Sequence, residues 1–472
     1  MATGDNADAR ELLERALVAV LPALEMSSEA PEGDPPRLQW ADYDLLAFDV
    51  PRHDPAYLVS SYVYRKALIR KHQLHTTVDE YRAKCRHRGV DTPLDKGMPK
   101  GWVLDIQFAD ELDELLMDDL YELDEALREN ERRSVEEREW FILKPGFAER
   151  GQGIRMFSTE DELRAIFDEF EPPSDDEDED EEDNEEAGGS EAGGSDQDEL
   201  VRRTADVDLD DGGTAVLTSH MRHFVIQEYV PRPVLFDLHE GDGAQLGQKF
   251  HLRAYVLVTG AYTVHMAHTM LALFSDAPYT PPRTVEGELD LRPHLTNTCL
   301  QTNYGEPVQD DLVRLFWDLE GRTALARSSS GYDAIGVVDT PWLEATFAKA
   351  GSVVAEAVKA GAECGSFNLQ LMENAFEIFG VDLLLSYPDA ADTTSLAVPD
   401  VTLLEFNASP DFMQTGDVLR PKLLEMFKGV VRISIAPFFG TETVGENNEA
   451  EMEVGEDRWG WRLVGKGAVR AS

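Results

Sequence analysis

Cysteine is scarce in this chain. Only three cysteines occur among its 472 residues, Cys85, Cys299 and Cys364, and none forms a Cys-x-x-Cys pair. This spacing excludes a disulfide framework, so we expect reduced cysteines with a structural role. The chain also lacks an apolar run of about 18 residues and an N-terminal basic region followed by an apolar one. These absences argue against membrane insertion and secretion, and they predict a cytoplasmic protein.

Positive charge is also in short supply, since 43 lysines and arginines stand against 92 aspartates and glutamates, giving a net charge of −49. Nucleic-acid binding relies on cationic side chains, so direct nucleic-acid binding is not expected. Much of the acidity lies in a low-complexity segment with two Gly-Gly-Ser repeats, 171–213. Because this segment cannot bury enough apolar surface to offset the entropy of ordering, we predict a disordered insertion inside a domain. The insertion is either a solvating loop or a binding segment for a basic partner.

Cations are concentrated in a predicted helix that carries eight basic residues between Arg65 and Arg88. This pattern fits either a solvated helix face or an anion-binding face. A second polar stretch lies in a hairpin predicted over 249–266 with its turn at 259–261. Side chains alternate along a strand, so the polar residues of its first strand share one face. These residues are Lys249, His251 and Arg253.

An apolar strand, 141–143, places Lys144 just before a loop that contains Gly151 and Gly153. Glycine adopts backbone angles that other residues avoid, so amide groups of such a loop can approach an anion closely. The Gly-x-x-x-x-Gly-Lys-Ser/Thr motif of common phosphate loops is missing. The stretch therefore predicts either a phosphate site of another kind or a surface lysine beside a turn.

Two later apolar strands, 376–386 and 401–406, carry the carboxylates Asp382 and Glu405. Burying an isolated carboxylate is costly, so each needs a cation or a hydrogen-bonding partner. Asn407 lies two residues after Glu405, on the same strand face, and the two can therefore ligate one ion. Oxygen ligands favour magnesium. The strands predict a magnesium site, with a structural ion pair as the alternative.

The order of these elements resembles that of the ATP-grasp ligases of the tubulin-tyrosine ligase family. The resemblance runs from Tyr62 to Pro437 and is interrupted by the acidic insertion. Seven motifs in the family order carry it: Arg65-Lys66-Ala67, Ile142-Leu143-Lys144-Pro145 with 150–154, Gln227-Glu228-Tyr229, Lys249-Phe250-x-x-Arg253, His294-Leu295-Thr296-Asn297, Phe379-Gly380-Val381-Asp382 and Glu405-Phe406-Asn407.

The resemblance implies an α+β ATP-grasp fold of three subdomains, with the nucleotide held between two β-sheets. It also implies an ATP- and magnesium-dependent carboxylate–amine ligase that adds an amino acid to a protein carboxylate through an acyl phosphate. The implied catalytic residues are Lys66, Arg253 and Asn297. The implied nucleotide-binding residues are Lys144, Gln152, Gly153, Gln227, Glu228, Tyr229, Val230 and Lys249. The implied magnesium ligands are Asp382, Glu405 and Asn407.

Composition and motifs together predict five segments. An N-terminal helix and linker occupy 1–37 and an acidic tail occupies 441–472. The N-terminal, central and C-terminal ATP-grasp subdomains occupy 38–130, 131–240 and 241–440, and the acidic insertion lies within the central one. We expect a monomer.

Two positions depart from the family pattern. His251 stands where family ligases carry an aspartate. The strand 262–272 offers His265 and His268 in place of an arginine that receives the carboxylate of the incoming amino acid, so the identity of that amino acid is open. The Lys249 motif and the segment 411–417 resemble fungal members associated with cytoplasmic processing bodies. The expected partners are tubulin or another acidic protein for a ligase. They are mRNA-decapping or processing-body proteins for the alternative, an ATP-binding, non-catalytic interaction module.

Overall fold

The structure of the protein is a computed structural model. It describes residues 4–27, 37–146, 151, 153–170, 222–239, 246–284, 289–297, 301, 312–388, 396–408, 410, 412, 416–441 and 451–467. Several sequence predictions lie outside these residues: the role of Gln152, the acidic insertion 171–213, the state of Cys299 and most of the segment 411–417.

Helices and strands are interspersed along the whole described chain. The helices are α1 (Gly4–Val20), α2 (Asp49–His53), α3 (Lys66–Ile69), α4 (Lys71–Arg88), α5 (Leu94–Gly97), α6 (Leu112–Met117), α7 (Tyr121–Asn130), α8 (Glu160–Phe170), α9 (Thr340–Cys364), α10 (Gly416–Val430) and α11 (Ala436–Phe439). The strands are β1 (Leu38–Gln39), β2 (Leu58–Val59), β3 (Gly101–Asp105), β4 (Phe141–Pro145), β5 (Arg155–Phe157), β6 (His223–Glu228), β7 (Leu235–Phe236), β8 (Gln248–Thr259), β9 (Thr263–Pro278), β10 (Val313–Leu315), β11 (Thr323–Ser328), β12 (Gly331–Val337), β13 (Phe376–Ser386), β14 (Asp400–Asn407), β15 (Asp457–Arg458) and β16 (Trp461–Lys466). Within the described segments, none of the helices has the length and apolarity needed to span a bilayer.

The chain divides into two compact units. The larger unit comprises Met1–Gly101, Glu149–Gln152 and Glu228–Ser472, and the smaller unit comprises Trp102–Ala148 and Gly153–Gln227. The smaller unit begins earlier than the boundary predicted at residue 131. The physical reason is that the leucines of α6 and α7 share one apolar core with β4.

The smaller unit contains, in its described part, a four-stranded sheet in the order β3-β6-β4-β5. The apolar side chains of β4 account for its interior position in this sheet. Phe141 is fully buried and stacks on Phe157 of β5, with the ring centroids 5.6 Å apart. Leu163 and Phe167 of α8 cover the same core. The predicted pairing of the strand at Phe141 with the strand at Phe224 is confirmed, since β6 lies beside β4.

In the larger unit, ten of the described strands form one antiparallel sheet. Its main order is β12-β11-β7-β8-β9-β16-β15, while β13 pairs with β8, β14 with β13 and β10 with β9. The predicted hairpin is confirmed by the pairing of β8 with β9. Its turn includes Gly260, whose φ of +58° is a conformation that glycine adopts without strain.

The two faces of β8 enter different surroundings. Leu252, Ala254 and Val256 point into a core shared with α4 and α9. Tyr255 and Leu257, on the other face, point into a core shared with α1 and α10. Nearer the start of the strand this second face is polar, and the apolar core therefore ends there. The polar side chains are those of Lys249, His251 and Arg253.

Helix α9 supports this sheet. Asp339 caps it by accepting a hydrogen bond from Trp342 N at 2.9 Å, and Pro341 occupies the first turn, where no backbone donor is required. Gly351 allows the helix to approach the sheet closely, because a Cβ at this position would lie 2.5 Å from Cγ1 of Val464. The helix thus packs directly against β16.

The described segments 4–27 and 451–467 belong to the larger unit. The predicted N-terminal helix is confirmed as α1, whose Leu12, Ala16 and Val20 pack in one core with Phe427 of α10. The prediction of an acidic tail over 441–472 is wrong at Trp461–Lys466, because these residues form β16, which pairs with β9. Trp461 of that strand is fully buried and donates from Nε1 to the Met426 carbonyl at 3.0 Å. Alternating burial along 461–466 marks a strand, although acidic sequence precedes it.

The predicted basic helix is present as α3 and α4, separated at Arg70 by extended backbone. Much of its charge has structural partners. The buried Arg82 donates to the carbonyl groups of Leu94 and Met98, and Lys84 lies 2.7 Å from Glu363 of α9. Part of the basic cluster therefore joins α4 to α5 and α9. The sequence analysis predicted either a solvated face or an anion-binding face, and neither includes this structural role.

The buried His265 of β9 should make stability depend on pH. Its Nδ1 has no hydrogen-bond partner among the described residues, and burial lowers its pKa to about 4. An unfolded histidine titrates near pH 6.5, so between about pH 6.5 and 4 the unfolded chain binds more protons and folding stability falls as pH falls. We expect His265→Leu to remove about 1.4 kcal/mol of this loss per pH unit in that window.

Urea unfolding at about pH 7.5 and about pH 5.5 measures this effect as a change in the free energy of unfolding. His87→Leu, a substitution at an exposed position of α4, is the control and should leave the pH dependence of the wild type intact. An identical pH dependence in wild type and His265→Leu would contradict the assignment.

Candidate functional site

The carboxylates singled out in the sequence lie on adjacent antiparallel strands of the larger unit. Asp382 of β13 stands directly opposite Glu405 of β14, and Gly380 stands opposite Asn407. The side chain of Asn407 donates from Nδ2 to Asp382 Oδ2 at 3.3 Å. Gly380 permits a close approach here, because a Cβ would lie 2.9 Å from Cβ of Pro410. The three predicted oxygen ligands are therefore neighbours.

Arg253 of β8 completes the pair with Asp382. The two residues are in register across β8 and β13, and Arg253 donates from Nε and Nη2 to the two carboxylate oxygens at 2.5 and 3.0 Å. Burial opposes the charge on both groups, but their mutual attraction outweighs it. The pKa of Asp382 consequently lies below its ordinary value and the pKa of Arg253 lies above its own. Asp382 is thus held as a carboxylate with a fixed orientation.

Glu405 has a cationic neighbour from a different element. Lys71, the first residue of α4, lies 3.1 Å from Glu405 Oε2, and the two side chains are 17% and 21% exposed. This partial exposure leaves Glu405 accessible to a ligand. Lys71 was missed as a site residue in the sequence, where it appeared only as one member of the basic helix.

His251 lies two residues before Arg253 on the same face of β8. Its side chain is buried, and Nδ1 is 2.6 Å from the hydroxyl oxygen of Thr296. Nε2 is 3.8 Å from Asp382 Oδ1. Burial, partly offset by the charge of Asp382, lowers the pKa of His251 below its ordinary value, so the ring is neutral at physiological pH.

A second polar cluster of the larger unit surrounds the buried Lys249. Its Nζ donates to the Tyr229 hydroxyl at 3.1 Å and to the His294 carbonyl at 2.8 Å, and it lies 4.5 Å from the centre of the Tyr229 ring. The Tyr229 hydroxyl is also 3.1 Å from His294 Nδ1. Burial and the charge of Lys249 lower the pKa of His294 to about 3, so that ring is neutral. One buried cation is thereby held among aromatic and carbonyl groups.

The smaller unit holds the predicted phosphate lysine. Lys144 of β4 is buried and donates from Nζ to Gln227 Oε1 of β6 at 2.5 Å. Gly151 and Gly153 both have positive φ, +77° and +68°. A Cβ at Gly153 would lie 2.9 Å from Cγ of Pro145, so glycine is required there on two grounds. The lysine is therefore a constrained interior side chain rather than the surface lysine of the alternative interpretation.

The donor set of the carboxylate cluster suits a hard divalent cation. Two carboxylates and a side-chain amide provide oxygen atoms, and rotating the Asn407 amide by half a turn presents its oxygen where the nitrogen now lies. Across the part of the chain that the structure describes, no group of three or more His, Cys, Asp or Glu side chains forms a metal site by itself. Asp382, Glu405 and Asn407 fit a cation whose other ligands are water and phosphate oxygens.

Comparison with known proteins identifies the family. The sequence model of the tubulin-tyrosine ligase family matches residues 60–443. The chain belongs to the tubulin-tyrosine ligase family. A probable tubulin-tyrosine ligase of Schizosaccharomyces pombe is 37% identical over 406 residues, which are 86% of this chain and 84% of that protein. The probable tubulin-tyrosine ligase PBY1 of Saccharomyces cerevisiae is 32% identical, with 93% of this chain and 52% of that protein covered. This chain thus spans about half the length of PBY1.

A solved structure extends the comparison to the fold. The C-terminal domain of K. lactis Pby1 is described as an ATP-grasp enzyme that interacts with the mRNA decapping enzyme Dcp2. Its similarity to this chain has a TM-score of 0.60 and 27% sequence identity, covering 97% of this chain and 96% of that one. The predicted α+β ATP-grasp fold is confirmed, and with it a fold whose members in general bind ATP and a divalent metal ion.

In this member of the tubulin-tyrosine ligase family, the predicted site residues fall into separate groups. Those of the larger unit's sheet form one cluster around Asp382 and a second around Lys249, whereas Lys144 and Gln227 pair in the smaller unit. The other predicted residues that the structure describes are Lys66, which is exposed, Gly153, which lies in a turn, and Glu228, Val230 and Asn297, which are half-buried. Their roles stay predictions. Lys71 and Thr296 are additional neighbours of the cluster, and the motif His294–Asn297 was the sequence signal for the latter.

Proposed function

We propose that this protein is an ATP- and magnesium-dependent carboxylate–amine ligase that adds an amino acid to a protein carboxylate through an acyl phosphate. The observation that carries the proposal is the set of oxygen ligands, Asp382, Glu405 and Asn407, flanked by Arg253 and Lys71. Membership of a family of ligases and an ATP-grasp fold support the reaction class.

In this proposal the cluster around Asp382 binds the metal ion and stabilises charge on the phosphates. Asp382, Glu405 and Asn407 hold the magnesium ion, which when bound neutralises charge on the phosphates. Arg253 and Lys71 are already fixed by ion pairs, so they can stabilise charge that develops during phosphoryl transfer with little rearrangement. Arg253 also keeps the buried carboxylate of Asp382 ionised, because its charge lowers the pKa of that group.

The other polar residues are proposed to bind the nucleotide. Lys144, supported by Gln227, binds ATP phosphates, with the backbone of the glycine loop around Gly153 closing on them. Tyr229 and Lys249 bind the adenine, because a buried aromatic ring and a buried donor offer stacking and a hydrogen bond. Lys66 and Asn297 are proposed to contact the transferred group.

The reaction then has two steps. An oxygen of the acceptor carboxylate attacks the terminal phosphorus of ATP, and the bond from that phosphorus to the bridging oxygen breaks to release ADP. The amine nitrogen of the amino acid next attacks the acyl carbon, phosphate departs and the amine proton is lost to solvent. No covalent enzyme intermediate is needed.

Acceptor-dependent ATP turnover tests the ligase. The full chain is incubated with ATP, magnesium, mixed amino acids and candidate acceptors, beginning with tubulin and acidic proteins. We expect ADP release that requires the acceptor and a mass gain of one amino-acid residue on it. Hydroxylamine in place of amino acids should yield the acceptor hydroxamate, which reports an acyl phosphate. ADP release at the same rate with and without every acceptor, with no mass gain and no hydroxamate, would reject the proposal.

A second candidate is an ATP-binding interaction module that binds the mRNA decapping enzyme in processing bodies. The likeness to K. lactis Pby1, which is described as interacting with Dcp2, favours it. Binding of the Dcp2 protein of the same organism to the wild type and to Lys144→Met distinguishes the two candidates. Equal binding by both proteins without acceptor turnover supports a module. Lack of binding by the wild type removes this candidate.

A further inference from the structure

The ring of His251 is held in place from one side. Nδ1 is 2.6 Å from Thr296 Oγ1, and the side chain is 5% exposed. The opposite nitrogen, Nε2, has no hydrogen-bond partner among the described residues. A buried polar atom of this kind carries a desolvation cost unless a ligand satisfies it.

The carboxylate of Asp382 lies close to Nε2 of His251 and indicates which kind of ligand could satisfy it. Asp382 Oδ1 lies 3.8 Å away, which is too far for a direct hydrogen bond. If Nδ1 carries the ring proton and donates it to Thr296, Nε2 presents a lone pair toward a carboxylate that also presents lone pairs. With this tautomer two atoms that each present a lone pair face each other 3.8 Å apart, and a cation can lie between them.

The spacing suits a shared cation. Donor atoms lie about 2.0–2.2 Å from a divalent ion such as zinc, so two ligands of one ion are at most about 4.4 Å apart. The measured 3.8 Å falls within that limit. Arg253 does not block the arrangement, because each carboxylate oxygen of Asp382 has two lone pairs and Arg253 uses one on each.

We propose that Nε2 of His251 is a ligand of the divalent cation held by Asp382, so that the site has mixed nitrogen and oxygen donors. This inference rests on the proposed function of the same site. Imidazole nitrogen favours transition-metal ions, whereas magnesium prefers oxygen. The site therefore accepts Mg²⁺ but binds Mn²⁺ or Co²⁺ more tightly, and Thr296 serves as the outer hydrogen-bonding partner that orients the ring.

Electron spin-echo envelope modulation on the full chain tests the ligand. The protein is labelled with ¹⁵N-histidine and loaded with Mn²⁺ and a non-hydrolysable ATP analogue. We expect a ¹⁵N coupling of directly bound imidazole in the wild type, its loss in His251→Gln and its retention in His268→Gln. The label separates histidine nitrogen from the nitrogens of adenine, and the wild-type measurement stands even if a variant fails to fold.

Competition between the two metal ions gives a second readout. We expect His251→Gln to lower the preference for Mn²⁺ over Mg²⁺ by about tenfold, with His268→Gln unchanged. Bound Mn²⁺ without histidine coupling in the wild type would overturn the inference while leaving the ligase proposal intact. Failure of the wild type to bind Mn²⁺ with the analogue would overturn the inference and the proposed metal site together.

Discussion

Replacing Glu405 with glutamine is expected to lower acceptor-dependent ATP turnover by about a thousandfold, equivalent to about 4 kcal/mol of lost transition-state stabilisation. The substitution keeps the size of the side chain and removes the charge of one of two carboxylates that stand opposite each other on β13 and β14. The fold should survive, because Glu405 and Lys71 are partly exposed and such a pair contributes about 1 kcal/mol or less. The loss should therefore appear in turnover rather than in stability.

The matched control lies at the other end of the same strand. Asp400 of β14 also pairs with a lysine, with Lys349 Nζ 2.6 Å from its Oδ1, and its side chain is 23% exposed, close to the 21% of Glu405. Asp400→Asn should change turnover by no more than about twofold. Steady-state ADP release by wild type and both variants, with thermal melting as a check on folding, decides the outcome. Equal rates for Glu405→Gln and Asp400→Asn would exclude Glu405 from the chemistry.

The carboxylate strands show what the sequence could predict. Asp382 and Glu405 stand out because charged residues interrupt apolar strands, and their facing positions follow once two neighbouring strands are paired. The partner of Glu405 could not be deduced in this way. Lys71 is 334 positions away in the chain and arrives through the packing of α4, so only the folded structure identifies it. Local patterns reveal strands and their chemistry, whereas contacts between distant elements depend on packing.

The basic helix and the C-terminal segment illustrate the limits of composition. The sequence placed Arg82 in a cationic cluster, but in the structure its guanidinium donates to the carbonyl groups of Leu94, the first residue of α5, and of Met98, just after that helix. Trp461 followed an acidic segment and was assigned to a tail, yet it is fully buried between β9 and α10. In both cases a strong local charge pattern obscured the role of one side chain. Their burial depends on a partner element that periodicity along the chain does not contain.

Removing Arg253 is expected to destabilise the larger unit by about 3–5 kcal/mol, because it leaves the carboxylate of Asp382 buried without its cation. Asp382 is 3% exposed and accepts hydrogen bonds from Nε and Nη2 of Arg253. Arg253→Met should therefore be far more harmful than loss of a surface charge. The double variant Arg253→Met/Asp382→Leu should recover most of the stability, since it leaves no buried charge of this pair uncompensated.

Urea unfolding followed by tryptophan fluorescence measures the four members of this double-mutant cycle. If Arg253 and Asp382 are the main partners of each other, each single variant will be less stable than the double variant. The coupling free energy will then be several kcal/mol, as expected for a buried ion pair. Additive losses would show that other contacts hold Asp382. Turnover gives the complementary result, because the double variant lacks the proposed metal ligand Asp382 and the proposed phosphate-stabilising cation Arg253. A folded but inactive double variant would separate the structural role of the ion pair from the role in phosphoryl transfer that we propose for it.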